Sequence, residues 1–75
     1  MPAVHPDSLF ADALGIHMRG DVAAAVARYQ QILRDHPRHA DTLHHLGIAF
    51  LQLGKMDEAA GWIQRSLDNQ SRQPN

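Results

Sequence analysis

Residues 41–54 read Asp41-Thr42-Leu43-His44-His45-Leu46-Gly47-Ile48-Ala49-Phe50-Leu51-Gln52-Leu53-Gly54, and this stretch decides the fold. Leu43, Leu46, Phe50 and Leu53 recur at steps of three and four, which places one apolar face along an α-helix. Gly54 closes the run, where a helix end favours a residue free to turn left-handed. Sliding the chain against itself by 34 positions lays the same stretch over residues 7–20. Asp7 then meets Asp41, Leu9 meets Leu43 and Gly20 meets Gly54; further on, Ala25 meets Ala59, Gln30 meets Gln64 and Leu33 meets Leu67. Conservative pairs fill the gaps: Ser8 with Thr42, Ala13 with Gly47, Ile16 with Phe50, Val22 with Met56, Tyr29 with Ile63. One helical unit is written twice.

Each unit divides into two helices. Leu9, Phe10, Ala13, Leu14, Ile16 and His17 mark the first helix, with Asp7 or Ser8 expected as its N-cap and Gly20 as its stop. Gly20-Asp21 makes a turn, with Asp21 suited to cap the next helix. Val22, Ala25, Val26, Tyr29, Ile32 and Leu33 trace that second helix, and Pro37 ends it because the residue before a proline is pushed out of helical geometry. A third helix runs from about Ala40 to Gly54. A fourth begins near Met56, carries Asp57 and Glu58 in its first turn, where acids favour the helix dipole, and continues through Ala59, Ala60, Trp62, Ile63 and Leu67. No stretch alternates with period two. The expected fold is all-α: four antiparallel helices as two tandem hairpins over residues 7–39 and 40–70, with a loose head at 1–6 and a frayed tail at 71–75.

Composition narrows the function. Seventy-five residues make one small domain, and 44% hydrophobic with 20% charged residues is a composition that folds. Seven basic against eight acidic residues leave a net charge of -1, so the field that phosphate backbones require is missing and nucleic acid is not an expected partner. With no cysteine, thiolate metal sites and cysteine nucleophiles are excluded. Apolar runs fall far short of the roughly 20 residues that span a bilayer, and the Met1–Pro6 start lacks a signal-peptide pattern. A cytoplasmic location without membrane contact is expected.

A 34-residue period with two helices per period is the spacing of the tetratricopeptide repeat, and the residues resemble that family in detail. Leu43-x2-Leu46-Gly47-x2-Phe50 resembles its first-helix motif, and Ala59-x3-Ile63 its second-helix motif. In the first unit the match is Leu9, Ala13 and Ile16, then Ala25-x3-Tyr29, closed by Pro37. The sequence departs from the family where Asp12 replaces a leucine, Ser66 an alanine and Ser71 the closing proline. Asp12 makes the outer edge of the first unit look like a terminus that faces water. The resemblance implies a short right-handed superhelical stack whose first helices line a concave groove for a peptide or partner helix.

Carried across residue by residue, the resemblance puts Asp7, Phe10, Leu14, His17 and Met18 in that groove from the first unit, and Asp41, His44, Ile48, Leu51 and Gln52 from the second. Family members that grip a C-terminal carboxylate use Lys and Asn where this chain has Phe10, Leu14, His44 and Ile48, so that reading is rejected. What remains is an apolar floor of Phe10, Leu14, Met18, Ile48 and Leu51 with a polar rim of Asp7, His17, Asp41, His44 and Gln52. The expected partner is a protein or peptide with an apolar segment, or a second copy of the chain. Leu14, Ile48 and Leu51 equally fit ordinary packing between helices. Trp62, Ile63 and Leu67 on the last helix form a second apolar surface, suited either to self-association as a homodimer or to cover by a further unit of a longer chain, because two units fall below the usual three.

Six histidines invite a metal reading, but no spacing brings three or four ligands together on one face, and no metal or other cofactor is expected. Asp35, His36 and the serines Ser8 and Ser66 lack any nucleophile-elbow or phosphate-loop pattern, so no catalytic residues are assigned and the chain is not expected to be an enzyme. An alternative follows from the stretch Ile32–Gly47, whose wording resembles bacterial repeats that precede glycosyltransferase or sulfotransferase domains. In that case the hairpins would be a non-catalytic extension that positions substrate or mediates dimerisation.

Overall fold

The computed structural model describes residues 5–71, omitting the side chains of residues 70 and 71. The expected head at residues 1–4 and tail at 72–75 lie outside the described residues. Four helices follow one another: α1 (Pro6–Met18), α2 (Val22–Asp35), α3 (Ala40–Gln52) and α4 (Met56–Ser71). Residues expected in the loose parts thus belong to helices at both ends: Pro6 is the first residue of α1 and Ser71 the last of α4.

Turn chemistry accounts for the boundaries. Gly20 and Gly54 adopt φ of 94° and 79°, a left-handed geometry that any side chain would strain, and they stop α1 and α3 at equivalent places. Asp21 caps α2 by accepting the backbone N–H of Ala24. The start of α1 departs from expectation. Its cap is His5, whose Nδ1 accepts the Asp7 N–H, while neither Asp7 nor Ser8 serves. Pro6 sits in the first turn, where no amide hydrogen is needed. His39, 34 positions on, caps α3 in the same manner by accepting the Thr42 N–H.

The hairpins are α1–α2 and α3–α4, joined where α2 packs on α3. Helices α1 and α3 touch, whereas α2 and α4 do not. The stack therefore bends toward the side that carries α1 and α3. One core runs through it, built from Ala13, Ala25, Val26, Tyr29, Ile32, Leu33, Leu43, Leu46, Ala49, Phe50 and Ala59. Close approach within the second hairpin depends on Gly47: a Cβ there would lie 2.5 Å from Ile63 Cγ1. All buried side-chain polar atoms among the described residues have hydrogen-bond partners.

Candidate functional site

The face shared by α1 and α3 is held together by three side-chain bridges. At one end, Asp7 on α1 accepts a 2.7 Å hydrogen bond from His39 Nε2. With Nε2 carrying the proton, His39 Nδ1 is an acceptor, and it lies 2.7 Å from the Thr42 hydroxyl as well as over the Thr42 amide. At the other end, His17 Nε2 donates to Gln52 Oε1 on α3, and His17 Nδ1 accepts from the Tyr29 hydroxyl at 2.9 Å. In the middle, the Phe10 ring meets His45 edge-on with centroids 5.0 Å apart, and it stacks against Tyr29 at 6.0 Å. His45 is held in turn by donating from Nδ1 to the Asp41 carbonyl. The spacing of α1 and α3 is thus fixed by paired polar and aromatic groups.

Electrostatics follow this wiring. The hydrogen bond from His39 holds the Asp7 carboxyl below its ordinary range, with nearby His5 adding to the effect. Burial pushes the Tyr29 phenol up, which keeps it protonated and able to donate to His17. Asp7, His39 and Thr42 line up in the order carboxylate, imidazole, hydroxyl that activates nucleophiles. Here Thr42 is fully buried inside the cap of α3, where no substrate reaches its oxygen. The arrangement is a helix cap. No group of three or more His, Cys, Asp or Glu side chains among the described residues could hold a metal ion.

The structure places the expected groove residues unevenly. Leu14 and Ile48, equivalent across the repeat, are both half-buried near the middle of the face, and Asp41, His44 and Gln52 are exposed beside them. Met18 is 80% exposed. Phe10 belongs partly to the interior, packed against the core rather than offered as open floor. His17 departs from its expected place on the rim: it is buried, because the fully buried Tyr29 hydroxyl beneath it needs an acceptor. Leu51 is 42% exposed at the α4 side of the face. On α4, Trp62 and Ile63 are half-buried, the Arg65 guanidinium lies over the Trp62 ring, and Leu67 is 52% exposed.

His39 and His45 escaped the sequence reading of this face. A signal for His39 was present, since it stands 34 positions after His5 and both open a first helix. Away from the face, a cleft of about 410 Å³ lies between the α2–α3 turn and the end of α4, lined by Pro37, Arg38, Leu43, Arg65, Asp68 and Asn69. Reciprocal hydrogen bonds between Arg38 and Asn69 close one side of it. No helix among the described residues is long and apolar enough to cross a membrane.

Comparison with known proteins agrees with the geometry. A family model described as the tetratricopeptide repeat matches residues 19–74, most of the chain. No curated protein matches the sequence.

Proposed function

The chain belongs to the tetratricopeptide repeat family, and we propose that it binds an apolar helical or extended segment of another protein across the inner face of α1 and α3. Repeats of this family generally mediate protein–protein interaction. The observation that carries the finer reading is the pairing of Leu14 with Ile48. Both sit half-buried at equivalent places on adjacent helices whose separation is locked by the His17–Gln52 and Asp7–His39 bridges. A site fixed in advance loses little entropy when it is filled. Met18 extends the apolar strip at one edge, and a thioether adapts to varied partners. Asp7, Asp41, His44 and Gln52 supply a polar border that orients the segment, while His17 acts beneath the surface as a brace.

Peptide selection from a displayed random library against the full chain tests this reading. Selected peptides are expected to share spaced apolar residues and to bind Met18→Lys or Ile48→Gln chains at least about tenfold more weakly. Circular dichroism must show that both variants keep their helicity. Phe10 is unsuitable as a probe because its ring supports the core. Selected peptides indifferent to both substitutions would move the binding site elsewhere.

A further inference from the structure

The 34-residue shift relates two clefts. Leu9, Gln31 and Asp35 line one of about 180 Å³ in the first hairpin. Their equivalents Leu43, Arg65 and Asn69 line the larger cleft of about 410 Å³, closed by the α2–α3 turn and the end of α4. Shape is repeated and charge is not. Asp12 and Asp35 outnumber Arg28 around the first cleft, whereas Arg38 and Arg65 outnumber Asp68 around the second. The fold requires neither set, since all six of these charged residues are exposed and stand outside the core. The positive lining is a property of the second cleft alone.

Both of its guanidinium groups are held by contacts that leave their charge uncompensated. Arg38 donates from Nε to Asn69 Oδ1 at 3.1 Å, and its carbonyl accepts from Asn69 Nδ2 at 2.8 Å. These bonds tie the turn to α4 and leave the Nη donors of Arg38 unused by Asn69. The Arg65 guanidinium lies 4.9 Å from the Trp62 ring centroid, an attraction that supplies no counter-charge. Among the described residues the ion pairs join Asp7 to His5 and His39, and neither arginine takes part in one. Asp68, the carboxylate of the cleft, accepts instead from Gln64 Nε2 at 3.0 Å along its own helix.

We propose that this cleft is a binding site for a carboxylate on a short apolar stem, the side chain of a glutamate in a partner protein. Guanidinium groups meet carboxylates through parallel N–H bonds, and Arg38 and Arg65 bring two such groups to one cleft. Pro37 and Leu43 give the methylene stem an apolar wall. Two arginines against one aspartate suit a monoanion, and the Asp68 carboxylate opposes the second charge of a phosphate. The volume falls within the roughly 300–1,000 Å³ of small-ligand pockets. This site lies away from the face centred on Leu14 and Ile48, and its occupation does not depend on what that face binds.

Titration of the nitrogen-15-labelled full chain with N-acetyl-glutamate amide, read by nuclear magnetic resonance, tests the assignment. The Leu43 amide and the Arg38 and Arg65 Nε–H signals are expected to shift saturably, and the uncharged N-acetyl-glutamine amide, with the same stem, to leave them in place. Arg65→Gln, at an exposed position, should weaken binding at least about tenfold, as loss of a charge-assisted pair does. Arg19→Gln removes the same charge at the end of α1 and should change nothing. Asn69→Ala keeps every charge but releases Arg38, so a several-fold weakening is expected, and Asp68→Asn should tighten binding. No saturable shift, equal shifts with the glutamine compound, or equal weakening by Arg19→Gln and Arg65→Gln would overturn the site. Acetate bound as tightly as the glutamate compound would overturn the role of the stem and favour small free acids. Inorganic phosphate bound more tightly would overturn the choice of carboxylate.

Discussion

The two hairpins share a backbone plan but fill it with different chemistry. In the first, the large residue of the second helix is Tyr29, fully buried. Its hydroxyl obliges His17 to turn inward, and the far nitrogen of His17 obliges Gln52 on α3 to complete the chain. In the second, the equivalent of Tyr29 is Ile63 and the equivalent of His17 is Leu51, neither of which needs a polar partner. In the second hairpin Ile63 lies tight against Gly47, where the first has Ala13. The repeat conserves shape, and the buried tyrosine–histidine pair is added to one copy only. As a result the buried polar chain of the first hairpin is completed by a residue of the second, Gln52 on α3.

Truncation at the two equivalent positions should expose that asymmetry most strongly. Tyr29→Ala removes a fully buried ring and leaves His17 without its donor, so a loss of about 3–5 kcal/mol is expected. That approaches the whole stability of a small domain, and the variant should be largely unfolded at room temperature. Ile63→Ala, at a half-buried site with no polar dependent, should cost about 2 kcal/mol. Urea denaturation followed by circular dichroism ranks the two. Equal losses would mean that the hairpins are chemically interchangeable after all.

A finer version concerns the small residues opposite. Gly47→Ala forces a methyl into Ile63 and should cost about 1–3 kcal/mol by overpacking, despite the better helix propensity of alanine. Shortening the neighbour relieves the clash, so Gly47→Ala combined with Ile63→Val should recover part of the loss in a double-mutant cycle. In the first hairpin the natural residue is already alanine, and Ala13→Gly should lose only about 1 kcal/mol through propensity. A stabilising Gly47→Ala would show that Ile63 has room to move.

Most of the architecture was legible because it rests on periodicity. The apolar steps, the glycines at 20 and 54, the Asp21 cap and the 34-residue shift all operate on local backbone rules that sequence displays directly. The inner face was legible only in outline. Leu14, Ile48 and Met18 were assigned to it by the family resemblance, and a resemblance does not reveal which polar residues turn inward. His17 was expected on the rim from the family resemblance; its burial follows from a distant demand, the Tyr29 hydroxyl, that no linear pattern encodes. The His5 and His39 caps were overlooked for a similar reason. Histidine is not among the usual N-cap residues, although the shift that revealed the repeat pairs these two.

The smallest expected effect lies at the His39 end, where the polar bridge between α1 and α3 is open to solvent. Asp7 accepts from His39 and its carboxyl is held below the ordinary value of 3.8. A carboxyl lowered on folding stabilises the folded state above its unfolded value, and that contribution disappears as pH falls through the lowered one. Asp7→Asn removes the charge at every pH. The native chain should therefore melt slightly higher than Asp7→Asn at neutral pH, and the gap should close as pH drops below the ordinary carboxylate range. Exposure of Asp7 screens the pair, so the gap is expected to be small and to shrink with added salt. Melting curves from neutral to acid pH check this, and a constant gap for Asp7→Asn would show that the Asp7–His39 contact contributes geometry without charge.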